Sequence, residues 1–166
     1  MTGPSPALVE LAHRHGVATE YDDWTGRRLT VAESTLVAVL EALGVPAGTE
    51  PARAEALAAH DRDYWQRSLP PIVLARQGVA SAFWVHVTHG DPVEVALTLE
   101  DGTERAGLRQ LENNRAPFDL GDRWVGEASF ELPADLPLGY HRLRLSVGGR
   151  HTETPVVVSP ATLALP

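Results

Sequence analysis

The sequence predicts an α+β protein, a short N-terminal helical segment followed by an antiparallel immunoglobulin-like β-sandwich. Three observations carry this. Apolar residues recur at helical spacing through the first third of the chain, the period changes to two at Leu69-Pro70-Pro71, and six or seven short alternating runs with turn formers between them fill the remainder. The expected organisation is a helical subdomain over 1–67, a sandwich over 68–160 and the start of a linker over 161–166.

Leu8, Leu11, Ala12 and His15 fall on one face of a first helix, with Gly16 placed to end it. Thr30 followed by Glu33 reads as a capping box for a second helix, in which the hydroxyl would take an orphan N–H and the carboxylate would reach back. Leu36, Val39, Leu40 and Leu43 repeat its apolar face, Gly44 suits the left-handed position after it, and Pro46 prevents continuation. A third, alanine-rich helix begins near Thr49 to Pro51 and carries Ala54, Leu57, Ala58 and Trp65 on one face.

Beyond the prolines, Phe83, Val85 and Val87 alternate with Trp84, His86 and Thr88. After Gly90, Asp91 and Pro92, a second run alternates Val93, Val95, Leu97 and Leu99 with polar neighbours. Asp101-Gly102 marks a turn, a short strand lies around Leu108 to Leu111, and 113–122 is polar and broken by Pro117 and Gly121. Trp124, Gly126, Ala128, Phe130 and Leu132 form one face of a further strand, which makes Trp124 a core residue. Leu143, Leu145 and Val147 face inward on the next, and Gly148-Gly149 turns it into a last strand, Thr154 to Val158. In Leu136 to Leu145, Tyr140 follows a Pro and Gly corner that includes Gly139. This is the position of a tyrosine corner, so Tyr140 is read as a structural staple and not as a catalytic phenol.

Composition narrows the function classes. With 14 basic residues, every one an arginine, and 22 carboxylates, the net charge is −8, which works against binding a phosphate backbone, and nucleic acid is not an expected partner. The chain of 166 residues is too short for a complete (β/α)8 barrel of about 250 residues. It contains no cysteine, which removes disulfides, thiolate metal sites and cysteine nucleophiles and fits a reducing compartment. No apolar run approaches the roughly 20 residues of a membrane span and the N-terminus lacks a signal-peptide pattern, so a soluble, cytoplasmic chain without a membrane partner is expected.

Candidate chemistry is sparse. His13 and His15 stand two apart rather than four, and His86 and His89 straddle a strand end with no carboxylate at matching spacing, so no metal ligand is assigned. Asp22 and Asp23 are adjacent in the turn-like stretch YDDWTG, where turn bonding explains them better than a glycosidic acid and nucleophile. Glycine-rich cofactor loops and a G-x-S-x-G elbow are lacking; no catalytic residue and no cofactor are assigned. Trp24 and Trp84, with His86 beside the latter, remain as candidate glycan or domain-contact residues, since an indole can stack on a sugar or be covered by another domain. For Trp84 packing is favoured.

Three stretches carry a family resemblance: Leu11 to Val45, Leu69 to Gly78, and Leu132 to Leu145 with its L-P-x-G-Y-H. In this order they resemble the N-terminal region of bacterial 4-alpha-glucanotransferases of the amylomaltase type, and the resemblance spans essentially the whole chain. It implies an extension ahead of a (β/α)8 barrel that moves α-1,4-glucan segments between maltooligosaccharides through a covalent glycosyl-enzyme, with a carboxylate nucleophile and a carboxylic acid/base. Those residues belong to the barrel, so none is carried to a position here. The implied partner is the catalytic barrel of the same polypeptide, and residues 161–166 would begin the linker toward it. Two alternatives stand beside a supporting role: a module that binds α-1,4-glucan, and an adaptor that recognises another protein.

Overall fold

The computed structural model describes residues 3–162; the last four residues of the expected linker lie outside them. The chain divides into two compact units, one through Tyr64 and the other from Trp65.

In the first unit, α1 (Pro6–Arg14) starts from Ser5, whose hydroxyl accepts from Leu8 N–H, and ends at Gly16, which has φ +70°. Leu8, Leu11 and Ala12 are fully buried. Next comes a small hairpin that the periodicity does not announce, β1 (Glu20–Asp22) paired antiparallel with β2 (Arg28–Thr30). It overturns the expected capping box. Thr30 pairs with Glu20 across the hairpin, and α2 (Glu33–Ala42) starts from Ala32 without a side-chain cap. Glu33 accepts instead from Arg53 Nη2 at 2.8 Å. Leu36 and Leu40 are buried as expected, whereas Val39 and Leu43 are exposed, because the buried stripe is narrower than the apolar one. Gly44 takes φ +79° and closes α2 with Gly44 N–H to Glu41 C=O and Val45 N–H to Leu40 C=O.

The third helix, α3 (Glu50–Gln66), starts after Thr49, whose hydroxyl accepts from Ala52 N–H. Ala54 and Ala58 face solvent, which corrects the expected face; it is built around Arg53, Ala56 and Leu57. An arginine belongs there because it is saturated. Arg53 is 5 % exposed and donates to Ala47 C=O, the Ser5 hydroxyl, Glu50 and Glu33.

The second unit is a sandwich of β3 (Val73–Arg76), β4 (Ser81–Thr88), β5 (Glu94–Thr98), β6 (Glu104–Ala106), β7 (Gln110–Leu111), β8 (Phe118–Asp119), β9 (Trp124–Leu132), β10 (Gly139–Val147) and β11 (Arg150–Ser159). The larger sheet has the order β3-β11-β10-β5-β6; the smaller has β4-β9-β7, with β8 also on β9. One pairing is parallel, β3 on β11, and the others are antiparallel. β4 leaves its sequence neighbours β3 and β5 in the larger sheet and pairs with β9 in the smaller one, which is immunoglobulin-like wiring. Phe83, Val85, Phe130 and Leu132 from one sheet meet Val95, Leu97, Leu143, Leu145, Val156 and Val158 from the other in a single core. Gly148 and Gly149, at φ +55° and +77°, make the tight turn between β10 and β11.

Two expected structural roles are corrected here. Trp124 is 55 % exposed, because the inward row Leu132, Phe130, Ala128 runs out at Gly126, where a Cβ would lie 3.1 Å from His89 Nδ1, and Trp124 lies past the last β4 partner. Tyr140 is 71 % exposed and points away from the core, since His141, Leu143 and Leu145 hold the inward positions of β10. The corner belongs to His141. Its Nδ1 accepts from Glu100 N–H at 3.1 Å, and its Nε2 bonds the Pro137 carbonyl four residues upstream at 2.9 Å.

Candidate functional site: the covered face of the smaller sheet

Residues of even number on β4 and of odd number on β9 point away from the core, so strand pairing places Trp84 opposite Ser129 and His86 opposite Glu127. Trp84 and His86 stack at 4.2 Å between centroids. On His86 also lies Trp65, at 4.6 Å, and Trp65 stacks in turn on Phe118 of β8 at 5.4 Å and 9° between planes. The guanidinium of Arg115 sits 4.8 Å from the Trp65 ring, within cation–π range.

Below these rings runs a polar network. His86 Nδ1 faces the Arg67 carbonyl at 2.8 Å, and Nε2 faces Glu127 Oε2 at 3.1 Å. Both of those partners are acceptors for a ring N–H. Glu127 is 9 % exposed in its side chain and also accepts from Arg115 Nη1 at 2.7 Å and Asn113 Nδ2 at 3.0 Å. Asn113 Nδ2 donates as well to the Ser129 hydroxyl at 2.8 Å. Arg115 and Asn113 donate to the carboxylate and His86 Nε2 faces it, the kind of surroundings in which a buried charge is tolerated.

This changes what two candidates can do. His86 is 2 % exposed and has no open ring face for a sugar, which corrects its place among the glycan-contact candidates. Trp84 is half-buried and joined to the same stack. Trp65, Arg115, Asn113 and Glu127 were missed as site residues. The available signal was the alternation that points Glu127 to the same side as His86; what it lacked was the register that makes them opposite.

Trp24 lies in the first unit, at the tip of the β1–β2 hairpin, and is 96 % exposed. Its neighbour Asp23 organises the turn. Asp23 Oδ1 accepts from Thr25 N–H at 2.9 Å, the Thr25 hydroxyl at 2.5 Å and Arg27 N–H at 3.0 Å. The Thr25 hydroxyl, followed by the Arg27 backbone, holds its carboxyl below the ordinary aspartate range. Asp22 pairs with Arg28 at 3.1 Å. Both aspartates of the adjacent pair are engaged in turn and hairpin bonding.

Gly139 and Tyr140 open β10 on the larger sheet. A Cβ at Gly139 would come within hard-contact distance of Glu100 Oε2, which also accepts from Tyr140 N–H at 3.1 Å. Among the described residues no group of three or more His, Cys, Asp or Glu is placed to hold a metal ion, and no helix is long and apolar enough to cross a membrane.

An immunoglobulin-like sandwich with one outer face covered by a stacked, ion-paired cluster defines the class: a β-sandwich domain that follows a helical unit in the sequence. The chain belongs to the MalQ N-terminal beta sandwich domain family, whose match covers residues 68–160. It is 58 % identical over all 166 residues to 4-alpha-glucanotransferases of Mycobacterium tuberculosis and Mycobacterium bovis, and spans 23 % of their length, at the N-terminal end. The crystal structure of amylomaltase from Corynebacterium glutamicum matches 95 % of the chain with TM-score 0.84 and 41 % identity, and the match takes in 23 % of that protein.

Proposed function

We propose that these residues are the non-catalytic N-terminal part of a cytoplasmic 4-alpha-glucanotransferase, which transfers α-1,4-glucan segments between maltooligosaccharides, and that they pack against and support its catalytic barrel. The observation that carries the reading is the identity along the whole chain to the N-terminal 23 % of glucanotransferases. Beside it stands the use the sequence makes of its carboxylates. Asp22, Asp23, Glu127 and Glu131 are committed to arginines, backbone amides and turn hydroxyls, as structural carboxylates are. Incubating the isolated chain with maltotriose is expected to give no longer oligosaccharides, whereas fusing it to the remainder of a mycobacterial relative gives transfer. Disproportionation by the isolated chain would overturn the reading.

Trp24 favours a second reading, direct contact with α-1,4-glucan. An indole that is almost fully exposed, on a turn fixed by Asp23, is a flat apolar surface held ready at little entropic cost. Titration with maltoheptaose, followed by tryptophan fluorescence, is expected under this reading to give a saturable change that Trp24→Ala removes. An unchanged signal to millimolar sugar refutes it.

A further inference from the structure

The outer face of the larger sheet carries a row of apolar side chains that the sandwich itself does not use. Register aligns Leu74 of β3 with Val157 of β11, and Val157 with Tyr140 of β10. Inward neighbours Val73, Ala75, Val156, Val158 and His141 are buried, so these three point outward. Leu74 is 70 % exposed and Tyr140 71 %, with Val157 half-buried between them. Ile72, 43 % exposed, precedes Val73 on the same side, and exposed Pro155 shares that side of β11. Single exposed apolar residues are ordinary on protein surfaces; a row that crosses three adjacent strands is the kind of patch that marks contact with another surface.

Three observations bear on what covers it. At its border Arg142 pairs with Glu153 at 3.3 Å and Arg76 is the one further charge on the outward side of β3, so the face is mainly apolar. Beside Tyr140, a cleft of about 570 Å³ lined by Thr98, Arg142, Glu153 and Pro155 gives relief into which side chains of a packed partner fit. Finally, β11 brings the backbone to Ser159, paired with Arg76 at the end of β3, so the polypeptide leaves the sheet at the border of the row. In the mycobacterial relatives most of the length follows the matched residues.

We propose that Leu74, Val157 and Tyr140, with Ile72 and Pro155, form the surface on which the following, catalytic part of the glucanotransferase polypeptide docks. This rests on the reading given under Proposed function and adds the face through which the packing occurs. A glucan chain is the poorer occupant, since Ile72, Leu74, Pro155 and Val157 present aliphatic surface and Tyr140 is the single ring in the row.

Hydroxyl-radical footprinting tests the surface without any substitution. The isolated 166-residue chain is compared with the same chain fused to the portion of the Mycobacterium tuberculosis enzyme that follows the matched residues. Tyr140 and Leu74 are expected to be labelled readily in the isolated chain and roughly tenfold less in the fusion, as passage from an open position into a packed interface implies. Trp124 and Trp24 are read in parallel. Protection confined to Trp24 or Trp124 overturns this docking face and leaves the supporting role standing; protection nowhere overturns both. Protection of Tyr140 in the isolated chain that grows with its concentration overturns the proposal in favour of a second copy of this chain.

Discussion

The imidazole of His141 is fixed by two backbone groups of opposite character, a donor and an acceptor. Glu100 N–H can only donate, so Nδ1 is bare, and Nε2 carries the hydrogen that reaches Pro137 C=O. Replacement by phenylalanine keeps the ring and orphans both groups. The expected loss is about 1–2 kcal/mol, since Glu100 and Pro137 are exposed enough for water to take the freed groups and each lost hydrogen bond is worth roughly 0.5–1.5 kcal/mol. Tyr140→Phe in the isolated chain is expected to change stability by no more than about 0.5 kcal/mol, because its ring is largely in solvent. Urea denaturation of the two variants separates His141 from Tyr140 as the residue that pins the corner. The corner was legible in the sequence as a Pro-Gly step before an alternating strand. Its occupant was not, because adjacent tyrosine and histidine differ only in which side of the strand they face, and that parity is set by pairing with β5 and β11.

At the level of elements, long alternating strands and helix ends were readable because their signals are local. Gly44 and Gly148-Gly149 take the positive φ that their positions demand. The β1–β2 hairpin was not readable, since three-residue strands with largely exposed side chains have no buried face to impose a period. Its order rests on its turn, and here pH matters. Asp23 has a folded pKa below its unfolded one, so its contribution is present above the unfolded value, near 4, and is lost as pH falls through the lower, folded value. Trp24 at the tip reports this directly. Its fluorescence anisotropy is expected to fall on acidification in that window, and Asp23→Ala to show the lower value already at neutral pH. The displaced cap makes a second prediction. Ala32 already has extended N-cap geometry, at φ −63° and ψ 143°, without an accepting side chain. Ala32→Ser is therefore expected to stabilise the first unit by about 0.5–1 kcal/mol, measured by thermal denaturation.

For the whole molecule, the question that the chain itself answers is where the sandwich begins. The period change at Leu69-Pro70-Pro71 places it just after α3, and the family match starts at residue 68. Compactness instead puts the division before Trp65, inside the last turn of α3. The chemistry of the smaller sheet explains the difference. Trp65 is 5 % exposed, lies on His86 and Phe118, and receives the Arg115 guanidinium, while the Arg67 carbonyl takes the His86 contact. A helical residue and a linker carbonyl thus complete the outer face of a β-sheet, which no local pattern reveals because the partners lie some twenty to sixty positions away. A fragment that begins at Asp61 is expected to keep the cluster, and one that begins at Ser68 to leave the His86 and Glu127 network open to water. The shorter fragment should be less stable by about 3 kcal/mol, the scale of removing a buried tryptophan. Urea denaturation of the two fragments measures the difference, and a Trp65→Ala change in the longer one should reproduce most of it. Equal stabilities would mean that the sandwich starts at residue 68 and that Trp65 merely rests on it.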